Sequence, residues 1–271
     1  MKNTVDAVRA FWDARPLLVG EIEQPVGTKA WFDEFDRIKT NDGFCGDLTR
    51  WVPSDADNKR ILDLGCGPGY WNRLFGKLNV AYYGIDISPK TVELARLSQQ
   101  LYGVPGQITV GNAEHLDFPD EYFDFVVSEG VIHHTPDTQG CIDEIYRVLV
   151  PGGQAAVGVY YRNFIFRSPF FFRAVLGAMR VLKISMKGRG REKMVRADTP
   201  EDFVRMFDGA DNPIGKAYTK DQLRRMFRHF SEIRFARYCL PLRMIKNNLP
   251  NYLHKLLASR FGLMILVKVK K

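Results

Sequence analysis

Acidic, glycine and histidine side chains occur at spacings that could bind a ligand in the first half of this 271-residue chain. The stretch Asp63-Leu-Gly65-Cys-Gly67-Pro-Gly69 follows an apolar segment and precedes apolar residues at helical spacing. A strand, a glycine turn and a helix in this order present free backbone N–H groups at a helix N-terminus, where a ligand can approach closely. The spacing therefore predicts a ligand-binding loop.

The chemistry predicted for this loop differs from that of a phosphate-binding loop. A carboxylate at Asp63 would repel a phosphate approaching from its side, and it suits a cationic amino-acid group instead. Dinucleotide-binding loops space their glycines G-x-G-x-x-G, and P-loops end in Gly-Lys-Ser/Thr. Neither pattern occurs here. We therefore expect the loop to bind an amino-acid moiety.

Polar side chains also follow the later apolar segments. Asp86 ends one such segment about 20 residues beyond the glycine turn, where a carboxylate can accept hydrogen bonds from ribose hydroxyls. Asn112 ends the next segment and suits an adenine edge, and Ser128 ends a fourth. Strands are predicted near 60–65, 80–86, 107–111, 122–128 and 152–160. Because helices alternate with them, we expect a parallel sheet with ligands beyond its carboxyl edge.

These motifs, with residues 145–153, resemble the successive motifs of class I S-adenosylmethionine-dependent methyltransferases. The chain is most similar to the small-molecule branch that includes the ubiquinone and menaquinone biosynthesis methyltransferases. The resemblance covers residues 59–160. It implies an α/β fold, a doubly wound, Rossmann-like sheet of seven mostly parallel strands, with a helical N-terminal cap and C-terminal insertions. It also implies S-adenosyl-L-methionine as cofactor and S-adenosyl-L-homocysteine as product.

The resemblance assigns roles to individual residues. The loop residues would line the methionine half of the cofactor, the second strand end would hold the ribose, and residues 112–114 would contact the adenine. The implied cofactor-binding residues are Asp63, Gly65, Gly67, Gly69, Asp86, Ile87, Asn112, Ala113, Glu114 and Ser128. The family usually has Asp where Asn112 stands, and an amide preserves the contact because it can both donate and accept. No metal ligands are evident, and none is expected.

His133 and His134 follow the fourth strand, where the family's methyl acceptor usually lies, and they are the predicted general bases. Imidazole suits proton removal from a phenol or enol near neutral pH. Methyl transfer depends largely on alignment of the nucleophile with the methyl carbon, however. In the alternative interpretation the two histidines belong only to a helix-entry turn capped by Thr135 or Asp137.

The N-terminal segment is rich in aromatic residues and is predicted to be helical. In similar methyltransferases such a segment covers the cofactor and walls the substrate pocket. The candidate pocket residues are Phe11, Trp12, Trp31 and Phe32. The alternative is that these rings only anchor the cap to the core, as aromatic stripes commonly do.

Charge is divided unevenly along the chain. Residues 1–150 carry 14 Lys/Arg against 23 Asp/Glu, whereas residues 151–271 carry 25 against 8. A basic half indicates an anionic partner such as a membrane surface, a nucleic acid or an acidic substrate. Residues 160–196 mix aromatic rings with Lys and Arg, as segments at a membrane interface do. The alternative is a lid helix, opened by Pro169, that packs on the core with a solvated basic face.

We predict four regions: a helical cap at 1–58, a cofactor-binding core at 59–160, a basic aromatic insertion or lid at 161–218, and completion of the sheet at 219–271. The last region includes a helical insertion at 241–259, and residues 187–191 are predicted to be a mobile loop. Four scattered cysteines without a C-x-x-C pair indicate a reducing compartment. The N-terminal residues lack a signal-peptide pattern, and no apolar run reaches ~20 residues. We therefore expect a cytoplasmic protein, and the basic aromatic segment would place it peripherally at the inner membrane face if it binds lipid.

The predicted function is methyl transfer to an oxygen or carbon nucleophile of a small apolar or aromatic acceptor. No Asn/Asp-Pro-Pro-Tyr/Phe motif follows the fourth strand, which argues against methylation of adenine N6 or glutamine. Two alternatives remain open. An RNA methyltransferase would use the basic half as a backbone track, and nucleic acid is the less favoured partner. A non-methylating enzyme could use the same cofactor, since fold does not determine function.

Overall fold

The computed structural model describes residues 4–44, 46–53, 55–182, 191–240 and 250–271. The strands within them are β1 Arg60–Leu64, β2 Ala81–Asp86, β3 Gln107–Val110, β4 Phe123–Glu129, β5 Leu149–Tyr161, β6 Ala217–Tyr218, β7 Glu232–Tyr238 and β8 Met264–Lys270. The α-helices are α1 Val5–Ala14, α2 Lys29–Ile38, α3 Tyr70–Phe75, α4 Pro89–Tyr102, α5 Thr138–Val148, α6 Phe164–Arg167, α7 Pro169–Val181, α8 Pro200–Met206, α9 Lys220–Met226 and α10 Asn251–Phe261. A π-helical turn spans Lys39–Gly43, and 3₁₀ turns span Ile132–His134 and Arg191–Arg196.

The fold is α/β, and its strands form one sheet in the order β3-β2-β1-β4-β5-β8-β7. The first five strands in this order are parallel, and β8 is antiparallel to both of its neighbours. The two-residue strand β6 pairs with the end of β5 outside this order. The predicted fold class is confirmed, with seven strands in the main order and one short addition. Within residues 219–271, predicted to complete the sheet, the strands are the antiparallel pair β7 and β8.

The sheet is buried on both faces, because consecutive residues of each strand enter two different hydrophobic clusters. Ile61 belongs to the cluster that contains the cap and the insertion, whereas its neighbour Leu62 belongs to the cluster with α5 and α9. Val127 and Val126 are divided in the same way. Strands buried on both faces are continuously apolar, which explains the near-continuous apolar runs of the core strands.

The helices begin at residues that can cap them. The Ser88 hydroxyl accepts the Thr91 N–H at the start of α4, and Thr219 forms a reciprocal capping box with Gln222 at α9. Asp137, rather than Thr135, caps α5 by accepting the Gly140 N–H at 2.9 Å. The helix-entry interpretation of this turn is therefore correct as local structure.

Most of the aromatic residues of the cap pack into the core. Trp31 and Phe32 are fully buried and contact each other edge-on. Phe32 also meets Tyr102 edge-on, and Trp31 packs against Phe35 at a tilt of 40°. Because an amphipathic helix buries its apolar stripe, these α2 rings point into the sheet-covering cluster. For them, the alternative interpretation as anchors of the cap is correct.

The basic aromatic insertion has an inner and an outer face. On the inner face, Phe172 and Met179 of α7 are buried with Phe166 and Phe203. The expected mobile loop is only partly described, since residues 187–190 lie outside the described ranges. Arg191, its last residue, is buried and its guanidinium pairs with Glu21 at 2.7 Å, which corrects the prediction at that position.

Residues 241–249 of the predicted helical insertion at 241–259 lie outside the described residues, and so does Cys45. Its second part forms α10, as predicted. Cys66 and Cys141 are buried thiols that form no disulfide. Across the described part of the chain, no group of three or more potential ligands could hold a metal ion. None of the helices described there is long and apolar enough to cross a membrane.

Candidate functional site

A cavity lies at the carboxyl ends of β1 to β4. Its walls come from the glycine loop, from the residues that follow these strands, from the N-terminal cap and from the loop after α8. The lining residues are Val8, Trp12, Leu17, Leu18, Ile38, Lys39, Gly43, Gly65, Gly67, Ile85, Asp86, Ile87, Thr91, Gly111, Asn112, Ala113, Glu129, Gly130, Val131, His133, His134, Thr135, Tyr160, Phe207, Asp208, Cys239 and Met264. This is the edge at which ligands bind in open parallel sheets.

The glycine loop needs glycine at two positions for different reasons. Gly65 has φ +80°, and a Cβ there would lie 2.2 Å from a methyl carbon of Val131. Gly67 has φ +51°, and a Cβ there would meet no atom within 4 Å, so it would occupy open space in the cavity wall. The loop thus provides a backbone surface that a ligand can approach closely.

Two of the predicted strand-end residues line the cavity beside this loop. The two carboxylate oxygens of Asp86 accept the N–H groups of Gly67 and Ser88, each at 3.0 Å. Burial raises the Asp86 pKa, and these backbone hydrogen bonds oppose the shift. Asn112 Oδ1 accepts the Glu114 N–H at 3.1 Å, which orients the amide at the end of β3.

Four residues of the predicted cofactor set do not line the cavity: Asp63, Gly69, Glu114 and Ser128. Asp63 is fully buried, the Tyr82 hydroxyl donates to its Oδ2 at 2.6 Å, and burial raises its pKa to about 7. Gly69 is the N-cap of α3, and Ser128 is fully buried in β4. Glu114 accepts the Asp137 N–H at 2.7 Å. These four residues lie behind the residues that line the cavity, and their role in cofactor binding stays a prediction.

Only one of the four candidate pocket residues of the cap lines the cavity. Trp12 lines the cavity, and its ring meets the edge of His134 at a centroid distance of 5.3 Å. Phe11, Trp31 and Phe32 are buried and do not line it. Phe11 lies on the inner side of α1, where it packs edge-on against Trp12.

A charged pair in the cavity wall was missed by sequence reasoning. The Lys39 ammonium, on the π-helical turn, donates to a carboxylate oxygen of Glu129 at the end of β4. The Tyr238 hydroxyl approaches the other oxygen at 3.4 Å. Glu129 could have been found from its position after a strand end. Nothing in the spacing of the cap marks Lys39, although π-helical turns are frequent at functional sites.

The two histidines line the cavity in different ways. His133 is fully buried, and neither of its ring nitrogens has a hydrogen-bond partner among the described residues. Burial, with contributions from His134 and Lys216, holds its pKa well below the ordinary value, so the ring is neutral. In His134, by contrast, Nδ1 lies 2.6 Å from the Ile214 carbonyl oxygen and Nε2 lies 3.1 Å from Asp208 Oδ2.

Comparison with known proteins shows a similar fold and a match to a methyltransferase domain. Residues 62–157 match the family model described as a methyltransferase domain. The chain is 27% identical over 162 residues to a ubiquinone biosynthesis O-methyltransferase of Pseudomonas entomophila, covering 58% of this chain and 68% of that protein. It is 34% identical over 147 residues to the enzyme of the same name from Paramagnetospirillum magneticum, covering 54% and 56%.

The chain is thus similar, over residues 62–157, to S-adenosylmethionine-dependent methyltransferases. Among solved structures, the [4+2]-cyclase SpnF is similar over 99% of this chain and 97% of its own, with a TM-score of 0.59 and 16% identity. That similarity extends the shared fold to the cap and the insertion. The curated relatives, in contrast, align over little more than half of the chain.

One end of the cavity is built from segments outside the matched residues 62–157. Phe207 and Asp208 come from the loop after α8, and Tyr160 comes from the end of β5. The Tyr160 hydroxyl donates to Asp208 Oδ2 at 2.5 Å. Asp208 lies 79 residues beyond the end of β4 in the sequence, so no local pattern associates it with the histidines.

Proposed function

We propose that this enzyme transfers a methyl group from S-adenosyl-L-methionine to an oxygen or carbon nucleophile of a small apolar or aromatic acceptor. One observation carries the proposal. A single cavity combines the glycine loop, polar groups at two neighbouring strand ends, and a neutral histidine without hydrogen-bond partners in the described chain. The first two features suit the cofactor, and the third suits the proton-bearing group of an acceptor.

The residues present fit the cofactor. The open space beside Gly67 can accommodate the methionine half, Asp86 can accept from ribose hydroxyls, and Asn112 with Ala113 can contact adenine. The Lys39–Glu129 pair offers a cation for a carboxylate and an anion for an ammonium group. When bound, the cofactor supplies an electrophilic methyl carbon on a sulfonium.

His133 is the residue proposed to interact with the acceptor. A neutral imidazole has one nitrogen that accepts a hydrogen bond, so it can orient a hydroxyl and polarise its O–H bond. Its own cationic form is disfavoured by burial and by its neighbours. We therefore assign it a hydrogen-bonding role in alignment, which is the main requirement of methyl transfer.

The acceptor is inferred to be apolar or aromatic because the surrounding wall is apolar. Trp12, Leu17, Phe207 and Met264 line the cavity together with the histidines. Such a wall excludes water and favours an apolar body with one polar group. The names of the curated relatives, which refer to O-methylation in ubiquinone biosynthesis, support the same acceptor class.

Cofactor binding can be tested with two matched glycine variants. Gly67 and Gly103 both have positive φ and open space where a Cβ would lie, but only Gly67 lines the cavity. We expect Gly67→Leu to weaken binding of S-adenosyl-L-homocysteine at least 100-fold in calorimetry. Gly103→Leu has similar backbone strain and should bind normally. Equal binding by all three proteins would refute the proposed cofactor site.

The transfer itself requires an assay that does not presuppose the acceptor. The enzyme is incubated with methyl-labelled cofactor and either a lipid extract, a set of soluble phenols, or RNA. We expect label in the organic phase, formation of S-adenosyl-L-homocysteine, and a turnover at least tenfold lower for His133→Gln with unchanged cofactor binding. Label in RNA would favour the nucleic-acid alternative, and cofactor binding without transfer would favour a non-methylating enzyme.

We also propose that the outer face of the insertion contacts an anionic membrane. The rings of Phe164, Phe170, Phe171 and Phe261 are about half or more exposed, and their centroids lie 5.6–6.3 Å apart in successive pairs. We call these four rings the aromatic patch. Exposed Arg167 and Arg173 are on the same two helices as three of the rings. Rings at headgroup depth with cations beside them complement an anionic lipid surface.

A further inference from the structure

His134 is buried in the cavity wall and contacts residues from several segments of the chain. It lies in the 3₁₀ turn after β4 and is 3% exposed. Its ring contacts Trp12 of α1, His133 of the same turn and Tyr160 of β5, at centroid distances of 5.3, 4.1 and 5.8 Å. The partners of its ring nitrogens belong to residues 207–216, which we call the closing segment.

Both nitrogens of the His134 ring face oxygen atoms of the closing segment. Nδ1 lies 2.6 Å from the carbonyl oxygen of Ile214, and Nε2 lies 3.1 Å from Asp208 Oδ2. A carbonyl oxygen can only accept, and at 2.6 Å it requires a proton on the nitrogen. A neutral imidazole carries one N–H and can therefore satisfy only one of these two oxygens, provided that Asp208 is ionised.

One neutral arrangement competes with this interpretation. Asn212 Nδ2 lies 3.3 Å from His134 Nδ1 and could donate to it if the ring were protonated only on Nε2. That tautomer would place the Nδ1 lone pair against the Ile214 oxygen at 2.6 Å, where two acceptors repel each other. The distances therefore favour a proton on each nitrogen.

We propose that His134 acts as an imidazolium clamp, a positioning residue that holds both ends of residues 208–214 and thereby sets Asp208 at the acceptor end of the cavity. In this role His134 does not contact the acceptor, because both nitrogens are used within the fold. The consequence for the acceptor rests on the proposed function, since Phe207 and Asp208 line that end of the cavity. The clamp itself does not depend on it.

The charges around the clamp determine its pH dependence. Asp208 faces Nε2 and stabilises the cation, while the Tyr160 hydroxyl shares the same carboxylate oxygen. The Lys216 ammonium belongs to the same segment, and it donates to the carbonyl oxygens of Thr135 and Pro136. From α1, Arg15 pairs with Asp211 at 2.5 Å. Because His133 is neutral, Asp208 is the anion that faces the ring directly among these described groups.

The sign of the effect follows from these contacts. At low pH His134 is protonated and donates to both oxygens. As the pH rises through its titration, one N–H is lost, one of the two bonds breaks, and the closing segment becomes less restrained. The amide protons of residues 208–214 should then exchange faster with solvent.

The experiment is ¹⁵N-histidine NMR of the full chain, which has five histidines. His134→Gln identifies the His134 signals by their loss. We expect both ring nitrogens to show protonated-type shifts at low pH and to change together, in one step, as the pH is raised. Hydrogen exchange of residues 208–214 should accelerate at least tenfold over the same step, and His134→Gln should abolish this pH dependence.

Two aspartate variants on the same segment provide the matched comparison. Asp208→Asn removes the anion facing Nε2 and should move the midpoint of this change to lower pH. Asp211→Asn breaks the Arg15 pair without contacting His134 and should leave the midpoint unchanged. A neutral Nε2–H tautomer at all these pH values would overturn the clamp, as would equal midpoints for the two variants. Neither result depends on whether the enzyme transfers a methyl group.

Discussion

Asp63 is a buried carboxyl whose ionisation opposes folding. Burial is the largest cause of the rise in its pKa to about 7, and the hydrogen bond from Tyr82 partly offsets it. In the unfolded chain the group ionises near its ordinary value of 3.8. Between these two values the native state retains a proton that the unfolded state has lost. The stability contributed by this residue therefore falls as the pH rises from about 4 to 7 and is constant above.

We expect Asp63→Asn to remove this penalty. The difference in unfolding free energy between variant and wild type should increase from pH 4 to pH 7, by up to about 4 kcal/mol, and then remain level. Urea denaturation at several pH values measures it. Tyr82→Phe should have the opposite effect and steepen the loss of stability with pH, since it removes the hydrogen bond that favours the anion. A difference that did not change with pH would contradict the assignment.

At the scale of elements, one buried arginine connects the cap to the core. Arg73 of α3 is 3% exposed, and its guanidinium forms a two-pronged pair with Asp36 of α2. The same group donates to the Pro68 carbonyl at 2.7 Å and lies over the ring of Phe32 at 5.0 Å. The position of α2 above the glycine loop therefore depends on a charge that is removed from water.

We expect Asp36→Ala to lower the free energy of unfolding strongly. It leaves the Arg73 cation buried without its carboxylate, which costs about 3–5 kcal/mol of unfolding free energy. Glu34→Ala, on the same helix, breaks a surface pair with Arg37 and should cost less than about 1 kcal/mol. Chemical denaturation of the two variants gives both values. Similar losses for both would show that Arg73 finds another partner.

At the scale of the whole molecule, the insertion and α9 lie on opposite faces of the sheet. Phe166 and Phe172 of the insertion share a cluster with the cap, whereas Leu223 and Phe227 belong to the other cluster. The excess of positive charge in residues 151–271 is therefore distributed over both faces. The aromatic patch lies on only one of them, and this gives a way to separate specific membrane contact from general attraction by charge.

We expect the enzyme to sediment with anionic vesicles and not with neutral ones. Combined Phe170→Ser, Phe171→Ser, Arg167→Gln and Arg173→Gln should abolish this binding with little change in melting temperature, because these side chains are exposed. Arg225→Gln with Arg228→Gln removes the same charge from the α9 side and should preserve most of it. Equal loss in both variants would indicate non-specific attraction, and RNA binding that weakens steeply with salt would favour a nucleic-acid track.

Local sequence determined the core of this protein. The glycine loop, the strand ends at Asp86 and Asn112, and the caps at Ser88 and Thr219 are patterns in which the interacting residues are close in sequence. Their geometry follows from backbone preferences that any chain with these residues shares. For that reason the parallel sheet, the similarity to methyltransferases and the position of the cavity at the carboxyl edge of the sheet could be inferred from the sequence.

Only the tertiary structure decided which side chains meet across long separations. The Lys39–Glu129 pair and the contact of Asp208 with His134 join segments tens of residues apart. These contacts, and the burial of Asp63 and Ser128, depend on how distant segments pack on the sheet. Sequence spacing could not distinguish His133 from His134, because neighbouring residues on a tight turn point into different surroundings. The identity of a polar group is local, whereas its partner, and hence its chemistry, is set by packing.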